Sequence, residues 1–177
     1  MKIAVIGIGL IGGSLAKELQ KQYPHATFLG IDHNAAHLET AIAQGTVDTV
    51  ATLSDIDKAD RVILSIPVKA SVALLPQLLD RISENCLVWD VGSTKKSICE
   101  AVASHPKREQ FLAAHPIAGT ENSGPQAAHL GLFNGKPQIL CEAKKTRADL
   151  LDWAKKSFRQ MGMYLRFMEP KEHDKHM

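Results

Sequence analysis

The chain alternates between two kinds of hydrophobic pattern. Short apolar runs typical of buried strands are followed by longer segments whose apolar residues recur at helical spacing. The first such pair is residues 2–6, an apolar run, and residues 10–22, in which Leu15 and Leu19 share one helix face. Repetition of this unit predicts an α/β fold, with a mostly parallel sheet covered by helices on both faces.

The same pattern continues along the rest of the chain. Residues 47–53 are typical of a short strand or a loop, and Ser93 is placed to cap the helix that follows it. Residues 169–177 indicate the opening of a helix, with Pro170 in its first turn. The pattern predicts further strands at 27–31, 61–66, 87–91, 111–114, 137–141 and 163–168, and further helices at 35–44, 68–82, 94–104 and 147–161.

Composition and charge exclude several classes of protein. The length of 177 residues suits one folded domain with a short additional segment. A content of 45% hydrophobic and 23% charged residues excludes a disordered chain. Lys and Arg number 21 against 19 Asp and Glu, without a basic block or a long apolar span, so neither a nucleic-acid partner nor a membrane partner is expected. The three cysteines form no CxxC pair, which argues against disulfides and a thiolate zinc site and favours the cytoplasm.

A glycine-rich segment directly follows the first strand and opens the first helix. Gly7, Gly9 and Gly12 have the spacing of a dinucleotide-binding turn, where each glycine allows a tight turn or a close backbone approach. Between them, Leu10 and Ile11 begin the helix, whose free N–H groups favour phosphate oxygens. The alternative is that the glycines only shape a turn.

Asp32 strengthens the case for a nucleotide site. It lies 20 residues after Gly12 at the end of the second strand, where a carboxylate accepts hydrogen bonds from a ribose. A carboxylate repels a 2′-phosphate, and the next residues are His33 and Asn34 rather than an arginine, so NAD is favoured over NADP. Together these features predict a Rossmann-type, doubly wound domain, although Asp32 could instead cap the next helix.

The residues after the strand at 61–66 belong to the same crevice. Ser65 and Pro67 follow the strand beside the first one, where the sheet order reverses and loops line the nucleotide. For Ser65 itself, an ordinary end of a strand is an equally good interpretation.

His115 is the candidate for proton transfer. It follows a predicted strand, precedes a proline that favours an extended backbone, and carries the side chain best suited to accept a proton near neutral pH. Ser93, after another strand, could hydrogen-bond the imidazole or a substrate hydroxyl. A purely structural histidine is the alternative, and the other histidines, including His173 near the chain end, are expected to be solvated.

Four segments make the chain resemble the prephenate dehydrogenase family, which includes arogenate dehydrogenases. The segment at 115–121, His-Pro-Ile-Ala-Gly-Thr-Glu, is the most specific of them, because many dehydrogenases share the glycine motif. The resemblance extends over essentially the whole chain. The four segments are residues 7–16, 90–95, 115–124 and 172–174.

The resemblance implies roles for individual residues. His115 corresponds to the catalytic histidine that hydrogen-bonds the substrate's ring hydroxyl, and Ser93 to a serine that orients this histidine. Glu121 corresponds to an acidic residue near the active-site entrance. The residues implied to hold the dinucleotide are Gly7, Gly9, Gly12 and Asp32.

The implied reaction is NAD-dependent oxidative decarboxylation of prephenate to 4-hydroxyphenylpyruvate in tyrosine biosynthesis, without a metal. Three alternatives stay open: an arogenate dehydrogenase, an NAD-binding module without turnover of its own, and another Rossmann hydroxy-acid dehydrogenase. The segment at 115–121 argues against the last of these.

The resemblance also implies a division into domains. Family members continue beyond the His-Asp segment into a helical dimerisation domain that supplies a Ser-His-Leu-Pro-His motif and an arginine for the substrate carboxylate. We therefore expect residues 1–168 to form the NAD-binding domain, residues 169–177 to lead towards a helical domain absent from this chain, and the complete protein to be a homodimer. Lys95 is a weak candidate for an anion contact and is expected to be solvated.

Overall fold

A computed structural model describes residues 1–177 as one eight-stranded sheet with helices packed against both faces. Short 3-10 turns connect several of these elements. The strands are β1 Lys2–Ile6, β2 Thr27–Ile31, β3 Thr49–Val50, β4 Arg61–Leu64, β5 Leu87–Asp90, β6 Phe111–Pro116, β7 Pro137–Cys141 and β8 Tyr164–Met168. The helices are α1 Leu10–Gln22, α2 Ala35–Ala43, α3 Val68–Arg81, α4 Lys96–Ala101, α5 Ala148–Gln160 and α6 Pro170–His176.

The strand order in the sheet is β3-β2-β1-β4-β5-β6-β7-β8. The first six strands are parallel, whereas β7 pairs antiparallel with β6 and parallel with β8. The order reverses at β1, which pairs with β2 on one side and β4 on the other. The predicted Rossmann-type fold is confirmed, and its topological switch point places a crevice at the carboxyl ends of these strands.

Two hydrophobic clusters fill the two faces of the sheet. Along β1, Ile3 and Val5 belong to the cluster beneath α1 and α5, whereas Ala4 and Ile6 belong to the cluster beneath α3 and α4. Side chains alternate between the faces of a strand, so a strand covered on both sides must be apolar at every position. No helix combines the length and apolar character needed to cross a membrane.

The start of α4 differs from the sequence prediction. The helix begins at Lys96 rather than Thr94, and Ser93 does not cap it. The carboxylate of Asp174 accepts the backbone N–H groups of Lys95 at 2.7 Å and Lys96 at 2.9 Å instead. A cap supplied by a residue so distant in the chain leaves no local signal in the sequence.

A buried ion pair joins the ends of β5 and β6. The Lys95 ammonium donates to the carboxylate of Asp90 and, at 2.7 Å, to the carbonyl oxygen of Ala114. Asp90 accepts the N–H groups of Ala114 at 3.1 Å and Gly92 at 3.0 Å. The expectation of a solvated Lys95 is therefore wrong: the side chain is fully buried because its charge has a buried partner. This pair therefore fixes both the backbone N–H and the carbonyl oxygen of Ala114, the residue directly before His115.

Replacement of Lys95 by methionine should destabilise the fold strongly, because it leaves the Asp90 carboxylate buried without its cation. Breaking a buried pair in this way costs roughly 3–5 kcal/mol. The matched control is Lys96→Met at the adjacent, exposed position, whose only ion pair is a 3.9 Å surface contact with Glu100. Urea unfolding of both variants measures the difference, and equal stabilities would contradict a structural role for the Asp90–Lys95 pair.

Candidate active site

Two of the three motif glycines are required by the fold of the turn itself. Gly7 has a φ of 89°, and a Cβ atom there would collide with the carbonyl oxygen of Ser65. A Cβ atom at Gly12 would collide with the carbonyl oxygen of Gly7. The turn between β1 and α1 therefore packs closely against the end of β4.

Gly9 differs, because a Cβ atom there would have no neighbour within 4 Å. The first helical hydrogen bond of α1 runs from the N–H of Gly13 to the carbonyl oxygen of Gly9, at 2.9 Å. The preceding N–H groups, those of Leu10, Ile11 and Gly12, have no helical acceptor, as at every helix N-terminus. Open space above Gly9 and free donors beside it fit a phosphate group.

Asp32 packs against this turn. Its side chain is only 5% exposed, and it accepts the N–H groups of Ile8 at 2.8 Å and Asn34 at 2.9 Å. A carboxylate has about four lone-pair sites, so capacity remains for ribose hydroxyls. The imidazoles of His33 and His37 lie 3.6 and 3.7 Å from its oxygens. Asp32 caps no helix; Asn34 caps α2.

A cavity of about 340 Å³ joins these features at the switch point. The size of the cavity and the carboxylate of Asp32 fit part of a dinucleotide, and the glycine turn lines one side of the cavity. Leu10, Ile11 and Gly12 are not among the lining residues and would contribute only through their backbone. The predicted residues that do line the cavity are Gly7, Gly9, Asp32, Ser65 and Pro67.

His115 lies elsewhere on the same edge of the sheet, at the end of β6. From β2 to β6 there are four strand spacings of about 4.8 Å, which places Asp32 and His115 roughly 19 Å apart across the sheet. His115 does not line the cavity around Asp32. An extended ligand is therefore needed to connect the two groups.

The ring of His115 contacts His173 of α6, which in turn contacts Asp174. Its Nδ1 lies 2.9 Å from Nε2 of His173, and the two rings meet edge to face at an interplanar angle of 77°. Nδ1 of His173 lies 2.8 Å from Oδ1 of Asp174. The expectation of a solvated His173 is wrong, since α6 packs against α4 and buries this side chain completely.

Charge and burial shape the acid–base behaviour of this chain of residues. Burial, together with the positive charge of Lys95, lowers the pKa of His115 to about 4. Burial opposes ionisation of Asp174, but hydrogen bonds from His173 and from the N–H groups of Lys96 and Lys95 hold the pKa of Asp174 below its usual value. At neutral pH, His115 is therefore an uncharged imidazole.

The structure does not bring every predicted residue to His115. Ser93 is exposed between β5 and α4 and makes no hydrogen bond with the imidazole, whose partner is His173. Glu121 is exposed in the irregular segment that follows β6. His173 was missed as a partner, although the buried Pro170 and His173 have the spacing of one helix face.

The three cysteines do not act in acid–base or nucleophilic chemistry at neutral pH. Burial raises the pKa of each thiol, those of Cys86, Cys99 and Cys141, to about 12. None of them is a thiolate nucleophile at neutral pH.

A family model described as the nucleotide-binding domain of prephenate dehydrogenase matches residues 15–166. The chain belongs to the prephenate dehydrogenase family. The residues implied by the resemblance, including His115 and Asp32, thus lie within or next to a nucleotide-binding domain of this family, as the fold also indicates.

Individual members of the family are similar over nearly the whole chain. The prephenate dehydrogenase of Bacillus subtilis is 34% identical over 97% of this chain and 47% of its own length. The structure of Synechocystis arogenate dehydrogenase superposes with a TM-score of 0.89 at 29% identity, over 99% of this chain and 62% of that one. Prephenate dehydrogenase from A. aeolicus, in complex with hydroxyphenyl propionate and NAD+, also gives 0.89, at 30% identity over 98% of this chain and 62% of that one. This chain thus spans about half the length of the curated relatives it matches.

Substitution of Gly9 by alanine separates binding from folding. A methyl group at Gly9 occupies the open space of the turn but contacts no protein atom, so dinucleotide affinity should fall about tenfold or more while the melting temperature stays unchanged. Gly7→Ala is the comparison variant and should lower the melting temperature, because it forces a positive φ and a clash with Ser65. Calorimetric titration with NAD+ and thermal unfolding measure the two effects. Unchanged affinity in the Gly9 variant would contradict the assignment of the turn.

The pKa of His115 should be lower in the folded chain than in the unfolded chain. An NMR titration of its ring should give a midpoint near 4, and the same titration in urea should return it to about 6.5. Because the unfolded chain then binds a proton that the folded chain does not, the free energy of unfolding should fall as the pH drops from about 6.5 to 4. A midpoint near 6.5 in the folded chain would show that the imidazole is not shielded from solvent.

Proposed function

We propose that this chain provides the dinucleotide-binding domain and the general base of an NAD-dependent prephenate dehydrogenase. The reaction is the oxidative decarboxylation of prephenate to 4-hydroxyphenylpyruvate. The observation that carries the proposal is the neutral imidazole of His115, held by a hydrogen bond with His173 at the carboxyl edge of the sheet, in the family's most specific segment. Family membership and the solved relatives support the choice of reaction.

NAD+ is the cofactor that suits the crevice. The backbone of the glycine turn would bind its phosphates, and Asp32 would accept hydrogen bonds from a ribose while repelling a 2′-phosphate. The A. aeolicus relative supports this choice through its complex with NAD+. When bound, NAD+ supplies the acceptor for the hydride that leaves the ring carbon bearing the hydroxyl.

In this mechanism His115 accepts the proton of the ring hydroxyl as the carbon–oxygen bond gains double-bond character. The ring carboxylate then leaves as CO2, and the electron pair of the broken carbon–carbon bond completes the aromatic ring and leaves a phenolate oxygen. The imidazolium of His115 returns its proton to this oxygen, which restores the hydroxyl. Aromatisation makes the overall step strongly favourable. The protein therefore has to align two reactants and to take up and return one proton. Ser93 would contact the substrate, and Glu121 would lie near the entrance of the active site. Neither residue would contact the imidazole.

The cyclohexadienol substrate can be prephenate or arogenate, because solved relatives include an arogenate dehydrogenase as well as prephenate dehydrogenases. We further propose that residues 1–168 form the NAD-binding domain, that α6 begins a helical domain, and that the complete protein is a homodimer. The greater length of the curated relatives supports this division. The three unpaired cysteines suit the reducing cytoplasm, where we place the enzyme.

His115→Asn should lower turnover of prephenate by roughly 10²–10⁴-fold, the range that general acid–base catalysis contributes. NAD+ affinity should stay within a few-fold of the wild type, because His115 lies four strands from Asp32. NADH absorbance and an NAD+ titration on the complete enzyme measure the two quantities. His25→Asn, at an exposed histidine, is the control. Unchanged turnover in the His115 variant would remove this residue from the mechanism.

A further inference from the structure

We propose that His173 and Asp174 act as positioning residues that fix which nitrogen of His115 carries the proton. In this arrangement Nδ1 of His115 is protonated and faces His173, and Nε2 keeps its lone pair for the substrate hydroxyl. The assignment of Nε2 as the acceptor rests on the proposed function, whereas the position of the proton can be measured on the protein without any substrate.

The carboxylate of Asp174, when ionised, only accepts hydrogen bonds. It receives the N–H groups of Lys95 and Lys96, and its Oδ1 also lies 2.8 Å from Nδ1 of His173. An ionised carboxylate has no proton to give, so Nδ1 of His173 must donate. The two backbone donors at the start of α4 hold the carboxylate in this orientation.

The donor role of His173 Nδ1 determines its other nitrogen. A neutral imidazole carries one proton, so Nε2 of His173 is an acceptor. Nδ1 of His115, 2.9 Å away, must therefore donate, and its Nε2 is left with a lone pair. A doubly protonated His173 would reverse this direction and leave His115 with a proton on Nε2, where it could accept none from the substrate.

The arrangement also assists the charged form that catalysis produces. When His115 takes up a proton it becomes an imidazolium, whose Nδ1–H already points at an acceptor. The negative charge of Asp174 lies behind that acceptor and opposes the positive charge of Lys95, which otherwise disfavours protonation of His115. This is the logic by which a carboxylate orients a catalytic histidine in a hydrolytic triad, extended here by a second imidazole.

The experiment is a long-range ¹H–¹⁵N spectrum of the ¹⁵N-histidine-labelled chain at neutral pH, which distinguishes protonated from bare ring nitrogens. We expect His115 to carry its proton on Nδ1, although free neutral histidine prefers Nε2. A proton on Nε2 of His115 in the wild-type chain overturns the proposal, whatever the variants do.

Two substitutions of His173 test the cause. In His173→Leu the acceptor is lost, so the proton of His115 should move to Nε2. In His173→Gln the side-chain oxygen can accept from His115 while the amide donates to Asp174, so the proton should stay on Nδ1. His176→Leu, at an exposed histidine on the same helix, is the control and should change nothing. A leucine variant that keeps the Nδ1 proton contradicts the proposal.

Turnover in the complete enzyme separates this proposal from the proposed function. With prephenate and NAD+, His173→Leu should lower kcat by roughly 10²-fold or more with little change in KM, and His173→Gln should restore most of the loss. If the wild-type enzyme turns over neither prephenate nor arogenate, the function fails while the measured proton position still stands. If it turns over and the proton lies on Nε2 of His115, only the positioning role fails.

Discussion

The buried ion pair between Asp90 and Lys95 is the interaction on which the carboxyl edge of the sheet around His115 depends. The backbone pairing of β5 with β6 ends at Trp89 and Leu112, and beyond it the Asp90 side chain takes the N–H of Ala114 while Lys95 takes its carbonyl oxygen. On the β5 side, two side chains therefore replace the strand ladder beside His115, whereas on the other side His115 stays paired with Ile139 of β7. A buried pair is stable only when its remaining hydrogen-bonding groups are satisfied, and here the satisfied partners are backbone groups beside His115.

Three aspartates stabilise the carboxyl edge of the sheet in the same way, by accepting backbone N–H groups. Asp32 accepts backbone N–H groups from the glycine turn and the start of α2, Asp90 from β6, and Asp174 from the start of α4. Each carboxylate ties together segments that are distant in the chain. Charge-assisted hydrogen bonds of this kind are stronger than neutral ones, which suits an edge that must hold irregular backbone in place. Two of these carboxylates also lie at the candidate site, because Asp32 lines the cavity at the switch point and Asp174 contacts His173 of the histidine pair.

Periodicity predicted most of the fold, because the strands are buried on both faces and their apolar runs are unmistakable. The glycine spacing and Asp32 predicted the crevice, since these residues act through local backbone geometry near one turn. The prediction failed where a partner comes from far along the chain. The sequence predicts that Ser93 caps α4, yet Asp174 caps this helix instead. It also predicts that Lys95 and His173 are solvated, yet contacts across the fold bury both side chains.

By itself, the sequence determined the doubly wound sheet, the site of the glycine turn and the identity of His115 as the candidate base. Those features follow from hydrophobic spacing and short motifs, which are local properties of the chain. Only the tertiary structure decided that α6 returns to α4 and brings His173 and Asp174 to His115. The physical reason is that the direction of a hydrogen bond between two imidazoles depends on the third group behind them, and sequence spacing does not specify which groups meet.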